Sequence, residues 1–259
     1  MIKTTKKPTR TTIVFAAVLL LLFAGGSQAS DAIDGISGTT FNFTAKVDHI
    51  STADGGSVML WGYADDGPSN GGRAQYPGPT LIVNQGDILT INLTNGLTVT
   101  GGAVPNVSIV FPGHEVTATC TTGACPTGTL TMEAEPDGDV VSYSFTATHA
   151  GTYMYHSGTN PGLQVEMGLT GAIIVRPPNY LTGAPPDFLA YGHADTAYGH
   201  EQLFFLTEMD PRIHTEVEFN GPDTALLQEY LDNYFSNYWF INGRTAPDGS
   251  ITSLLKKNQ

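Results

Sequence analysis

Residues 151–175 constrain this chain more than any other stretch: Gly-Thr-Tyr-Met-Tyr-His-Ser-Gly-Thr-Asn-Pro-Gly-Leu-Gln-Val-Glu-Met-Gly-Leu-Thr-Gly-Ala-Ile-Ile-Val. The run into His156 reads as a strand, Ala172–Val175 as its β-branched return, and the Gly/Asn/Pro-rich centre as a loop. Such a loop carries one histidine to the end of a sheet. The flanking sequence agrees with that architecture. Apolar runs are short and β-branched, and 30 glycines and 16 prolines punctuate them, so the fold class is all-β, a sandwich of short strands.

Phe41 to His49 alternates, with Phe41, Phe43, Ala45 and Val47 on one face and polar residues on the other, which predicts a half-buried strand. Asp54-Gly55-Gly56 turns the chain into a second strand at Val58–Gly62. Pro77 and Pro79 stiffen the entry to Leu81–Val83, and the Asn84–Asp87 turn leads to Ile88–Leu93. Further strands are expected at 107–111, 140–147, 151–156 and 171–176.

Residues 1–29 read as a secretion signal: Lys3, Lys6, Lys7 and Arg10, an apolar run, then the small-residue site Ser27-Gln28-Ala29. Its apolar core is too short to span a bilayer. Cleavage predicts a secreted or periplasmic protein with no membrane contact. The whole chain has 11 Lys+Arg against 24 Asp+Glu. Without the four basic leader residues its net charge is −17, which argues against binding nucleic acid or anionic lipid. Cys120 and Cys125 share one polar loop, and export favours a disulfide between them.

At Arg176-Pro177-Pro178 the composition shifts. The double proline ends a strand, and 179–259 reads as a linker followed by an incomplete second domain. It contains a strand at 202–209, one helix from Thr224 capped by Asp223, and a strand at 238–244. On that reading Trp239 and Phe240 lack a partner domain and stay exposed.

With Tyr76-Pro-Gly-Pro-Thr80, Gly86-Asp87 and Gly151-Thr-Tyr-Met-Tyr-His156 in place, roughly residues 40–178 resemble the first plastocyanin-like cupredoxin domain of the multicopper oxidases, the superfamily of laccases and copper nitrite reductases, and 30–178 is read as that domain. The tail is similar to the start of such an oxidase's second cupredoxin domain. The resemblance implies a Greek-key β-sandwich, copper as cofactor and an oxidoreductase role in the full-length context. It also implies histidine pairs and a Cys–His–Met set, and most of these are missing. Val110-Phe111-Pro112 stands at the first His-X-His pair, and Gly158 replaces the partner of His156. Ser157, Gln164 and Leu169 stand where a blue-copper loop has cysteine, histidine and methionine.

His156 remains as a candidate metal ligand, with His114 beyond Gly113 as a second. Met167 is read as packing, Gln164 and Glu166 as solvated polar residues, the alternative being that they orient His156, and His49, His149, His193, His200 and His214 as structural. No catalytic residue is assigned: the chain has no Gly-x-Ser-x-Gly, phosphate-loop or His-Glu-x-x-His pattern. One imidazole holds copper weakly, so the expected partner is a second cupredoxin domain or subunit, with a homotrimer as the precedent in the resembled family. The competing reading is a non-catalytic cupredoxin-like module that binds a partner or carries copper.

Overall fold

The structure is a computed structural model. It describes residues 33–67, 72–136, 138–180, 188–199 and 201–245; the leader and His200 lie outside them. The described residues from Ile33 onward form one compact unit.

Two sheets make the sandwich. The larger holds β2 (Thr40–Ser51), β3 (Ser57–Asp65), β5 (Ile88–Asn95), β6 (Thr117–Thr122) and β7 (Val140–Thr146), ordered β3-β2-β5-β7-β6. The smaller holds β1 (Ile36–Ser37), β4 (Leu81–Asn84), β8 (Gly151–His156) and β9 (Thr170–Arg176), ordered β1-β4-β9-β8. The neighbours β2–β3, β6–β7 and β8–β9 pair antiparallel, while crossovers pair β2 in parallel with β5, and β4 with β9. That wiring is of the Greek-key kind expected.

The alternation read in β2 is realised. Phe41, Phe43 and Ala45 face the core, as do Leu89, Ile91 and Leu93 of β5. Phe43, Tyr63, Phe111 and Tyr155 meet between the sheets at centroid separations of 5.7–6.2 Å. Each fully buried ring stabilises the fold by roughly 1.5–3 kcal/mol. The buried hydroxyls are satisfied: Tyr63 donates to the Ser108 carbonyl at 2.8 Å and Tyr155 to the Pro79 carbonyl at 2.6 Å.

Residues 107–111 are not the strand expected. They form only isolated bridges, Val107 to Ala134 and Val110 to His156. Val107, Ser108 and Ile109 are all buried, so this segment is a connector threaded through the end of the core. The cysteine segment, expected as a loop, contributes the edge strand β6, and Cys120 and Cys125 form the disulfide.

Past Arg176 come the short strands β10 (Phe188–Leu189) and β11 (Ala197–Tyr198), then the hairpin of β12 (Leu206–Met209) and β13 (Tyr238–Ile241). Among the described residues there are three α-helical segments beside a 3₁₀ turn: a single turn α1 (Pro161–Gln164) in the histidine loop, α2 (Pro211–Asn220) and α3 (Ala225–Asp232). One helix was expected. The additional helix α2 starts at Asp210, whose carboxylate accepts the Arg212 N–H, with Pro211 in the first turn. The cap of α3 is Thr224, which accepts the Leu227 N–H, and not Asp223. Ile213 and Val217 of α2 and Leu227 of α3 join the sandwich core. A Cβ on Gly221, whose φ is 89°, would lie 2.0 Å from the Gly101 carbonyl, so only glycine lets α2 end against that loop. Phe240 is buried beneath the hairpin with Val58 and Met209, while Trp239 is exposed.

Candidate metal centre

His156 ends β8, where the ladder gives way to the 157–169 loop. Its backbone exchanges hydrogen bonds with Val110 at 2.8 and 3.2 Å, so the connector runs directly beside it. The half-buried ring places Nδ1 2.9 Å from the Ser157 carbonyl. A carbonyl only accepts, so Nδ1 is the donor of this contact, and in the neutral ring that leaves the lone pair on Nε2. Nε2 has no hydrogen-bond partner among the described residues and is not sealed from solvent. It is an available imidazole donor.

The positions around it are closed. Ser157, fully buried, donates from Oγ to Gln164 Oε1 at 2.6 Å and accepts the Thr159 N–H at 3.1 Å. Gln164, also fully buried, donates from Nε2 to the Asn106 carbonyl at 2.8 Å. Thr159 donates to Glu133 at 2.8 Å, Asn106 donates to the same carboxylate at 3.1 Å, and Ser108 hydrogen-bonds Thr159 at 2.8 Å. The set forms one connected network with its donors matched to acceptors. Gly158 has no room for a larger residue: a Cβ there would stand 2.8 Å from Val110 Cγ1 and 3.1 Å from Ser108 Oγ.

This donor set does not suit a soft metal. A blue-copper site needs a thiolate and two imidazoles, and here a hydroxyl and an amide spend their polar atoms on each other while Leu169 is buried hydrocarbon. No group of three or more His, Cys, Asp or Glu among the described residues is arranged to hold a metal.

His114 is three residues further along the connector and lies between the rings of Phe145 (4.6 Å) and Tyr153 (4.5 Å). Both its ring nitrogens are covered and unpartnered. Burial, with His149 nearby, holds its pKa below the ordinary histidine value, which favours the uncharged ring. Met167 is fully buried core. Of the remaining histidines, His49 pairs with Glu218 at the surface at 3.3 Å, His149 contacts Thr148, and His193 precedes a single 3₁₀ turn.

Glu166 is not the solvated residue expected. Its carboxylate accepts the Asp210 N–H at 2.6 Å and the Tyr234 hydroxyl at 3.0 Å, and lies 3.5 Å from Nε2 of the buried His214. His214 Nδ1 in turn donates to the Met59 carbonyl at 2.6 Å. The histidine loop is therefore clasped to α2 and β3. The one sequence signal for this clasp was Asp210-Pro211, which marks the start of the helix carrying His214.

The family model described as multicopper oxidase matches residues 69–180. The copper-containing nitrite reductase of Alcaligenes xylosoxydans xylosoxydans is 33% identical over 190 residues, 72% of this chain and 51% of that protein. L-ascorbate oxidase of Cucumis sativus is 35% identical over 106 residues, 41% of this chain and 16% of that protein. The solved blue copper oxidase from Nitrosomonas europaea superposes with a TM-score of 0.51 at 22% identity, covering 81% of this chain and 54% of the other. A second multicopper oxidase structure gives 0.53 at 21% identity, with 80% and 54% covered. The chain thus spans about half the length of the nitrite reductase and far less of the ascorbate oxidase. Its sandwich topology and these matches agree: the chain carries a cupredoxin domain of the multicopper oxidase superfamily, matched at residues 69–180.

Proposed function

We propose that this chain is the first cupredoxin domain of a multicopper oxidase-type protein and holds no copper centre of its own. It supplies scaffold and one imidazole, His156, to a copper site completed by another cupredoxin domain or a second copy. The observation that carries this reading is the contrast at the loop. His156 has no protein hydrogen-bond partner at Nε2 among the described residues, while the adjacent Ser157 and Gln164 are locked to each other at 2.6 Å. Copper in such an assembly would supply electron transfer; the residues here position one ligand and keep the loop rigid. The sequence pattern of residues 1–29, read as a secretion signal, and the Cys120–Cys125 disulfide support action outside the cytoplasm, secreted or periplasmic.

Copper titration of the purified chain tests this. We expect Cu(II) to bind weakly, through one imidazole, with the His156→Ala variant losing that imidazole signature in electron paramagnetic resonance and keeping its melting temperature. Tight binding that survives His156→Ala contradicts the proposal. The second reading, a non-catalytic binding module, is favoured by one observation, the groove beside the same loop.

A further inference from the structure

A groove with a volume of about 470 Å³ opens between the histidine loop and the β12–β13 hairpin. Its size suits a small molecule and not a folded partner. Met154, Phe204, Leu206 and Tyr234, all among the exposed large apolar side chains, converge on this one concavity together with Tyr76 and Val165. Exposed apolar groups scattered singly need no explanation, whereas a converging set marks a binding surface.

The charge of the groove narrows the ligand class. Glu166 and Glu208 both line it, and no lysine or arginine does. Glu166 is tied down by Asp210, Tyr234 and His214. Glu208 is exposed on the outer face of the hairpin, directly across from Trp239. Thr207 Oγ1, in the wall beside Tyr76, lacks a well-formed hydrogen bond. An anion would meet two carboxylates and no counter-charge. A hard metal ion would lack the clustered oxygens it needs. An ammonium on an apolar body would find carboxylate, tyrosine rings and hydrocarbon together.

We infer that this groove binds a small hydrophobic organic cation, an alkyl or arylalkyl ammonium, with its apolar body against Met154, Phe204 and Leu206 and its charge toward Glu208 and the tyrosines. The inference involves neither His156 nor copper, so it stands or falls apart from the proposed function.

The full chain supplies its own reporter. Trp239 is exposed across the hairpin from Glu208, whereas Trp61 is fully buried. Titration with 2-phenylethylammonium, followed by tryptophan emission and calorimetry, is compared with 2-phenylethanol, its neutral counterpart. We expect saturable binding of the ammonium about fivefold tighter than of the alcohol, weakening with added salt. Glu208→Gln loosens the ammonium about threefold and leaves the alcohol unchanged. Leu206→Ala, at an exposed position where folding is not at stake, weakens both ligands. Equal affinity for alcohol and ammonium, no saturation by the ammonium, or binding indifferent to both substitutions overturns the inference.

Discussion

Glu201→Ala lowers the stability of this protein by about 3–5 kcal/mol, the range for stranding one member of a buried ion pair. The Arg176 side chain is 10% exposed and that of Glu201 13%. Arg176 forms a forked pair with the Glu201 carboxylate, and its guanidinium lies 4.1 Å over the Tyr180 ring. Tyr198 and Tyr180 donate to the same carboxylate at 2.9 and 3.3 Å. The pair joins the end of β9 to the segment after β11, and Ile33 N–H also reaches Glu201. Removing the carboxylate leaves a guanidinium with little water and no counter-charge. For a domain of this size the melting temperature falls by on the order of 10 °C, read by calorimetry. Replacing both partners, Arg176→Met with Glu201→Leu, recovers much of the loss because no charge is left buried.

The same pair sets a pH dependence. Burial alone would push the Glu201 carboxyl up, but hydrogen bonds and charge from Arg176 outweigh it and hold the pKa below the ordinary 4.5. A carboxylate lowered on folding contributes stability that is complete above its unfolded pKa and lost as pH falls through its folded one. The stability gap between the parent protein and Glu201→Ala is therefore constant near neutrality and narrows only below about pH 4. A gap that stays constant into strong acid contradicts this account.

Gln164→Leu is the second large effect, about 1–3 kcal/mol, measured by chemical denaturation. It strands the Asn106 carbonyl and removes one of two acceptors within reach of the buried Ser157 hydroxyl, which keeps the Thr159 carbonyl at 3.1 Å; an orphaned buried group costs about 1–3 kcal/mol. Ser157→Ala costs less in the Gln164→Leu background than in the parent protein, because the Ser157–Gln164 hydrogen bond is already gone. Strict additivity would mean that the two side chains do not act as a unit.

These effects rest on contacts of very different legibility. The alternation of Phe41, Phe43 and Ala45, the Asn84–Asp87 turn and the β8–loop–β9 unit stood out because burial on one face leaves a period-two pattern in a short stretch. The edge strand β6 did not. Thr-Ala-Thr-Cys-Thr-Thr is half-exposed, and its hydrogen bonds to β7 impose no apolar period. Residues 107–111 misled in the opposite sense, because their apolar run reflects burial on all sides of a connector. Helix α2 was signalled only by its Asp-Pro start, since His214 and Glu216 on its buried side broke the apolar stripe.

Within the site, the absent ligands could be read from Ser157, Gln164 and Leu169 by resemblance alone. What replaced them could not. The hydrogen bond from Ser157 to Gln164 depends on the turn α1 closing over the end of β8, and the clasp of Glu166 on Asp210 joins residues 44 apart in the chain. Such pairings are set by packing and leave no local pattern.

At the centre lies the claim that a hydroxyl–amide hydrogen bond has taken the place of a thiolate-bound metal in this loop. The visible absorption spectrum of the purified chain, recorded before and after copper loading alongside its melting curve, tests it most directly. We expect no intense thiolate-to-copper charge-transfer band and a melting temperature indifferent to copper and to chelator. A strong blue band with one tightly held copper per chain, and a melting temperature that chelator lowers, would contradict it.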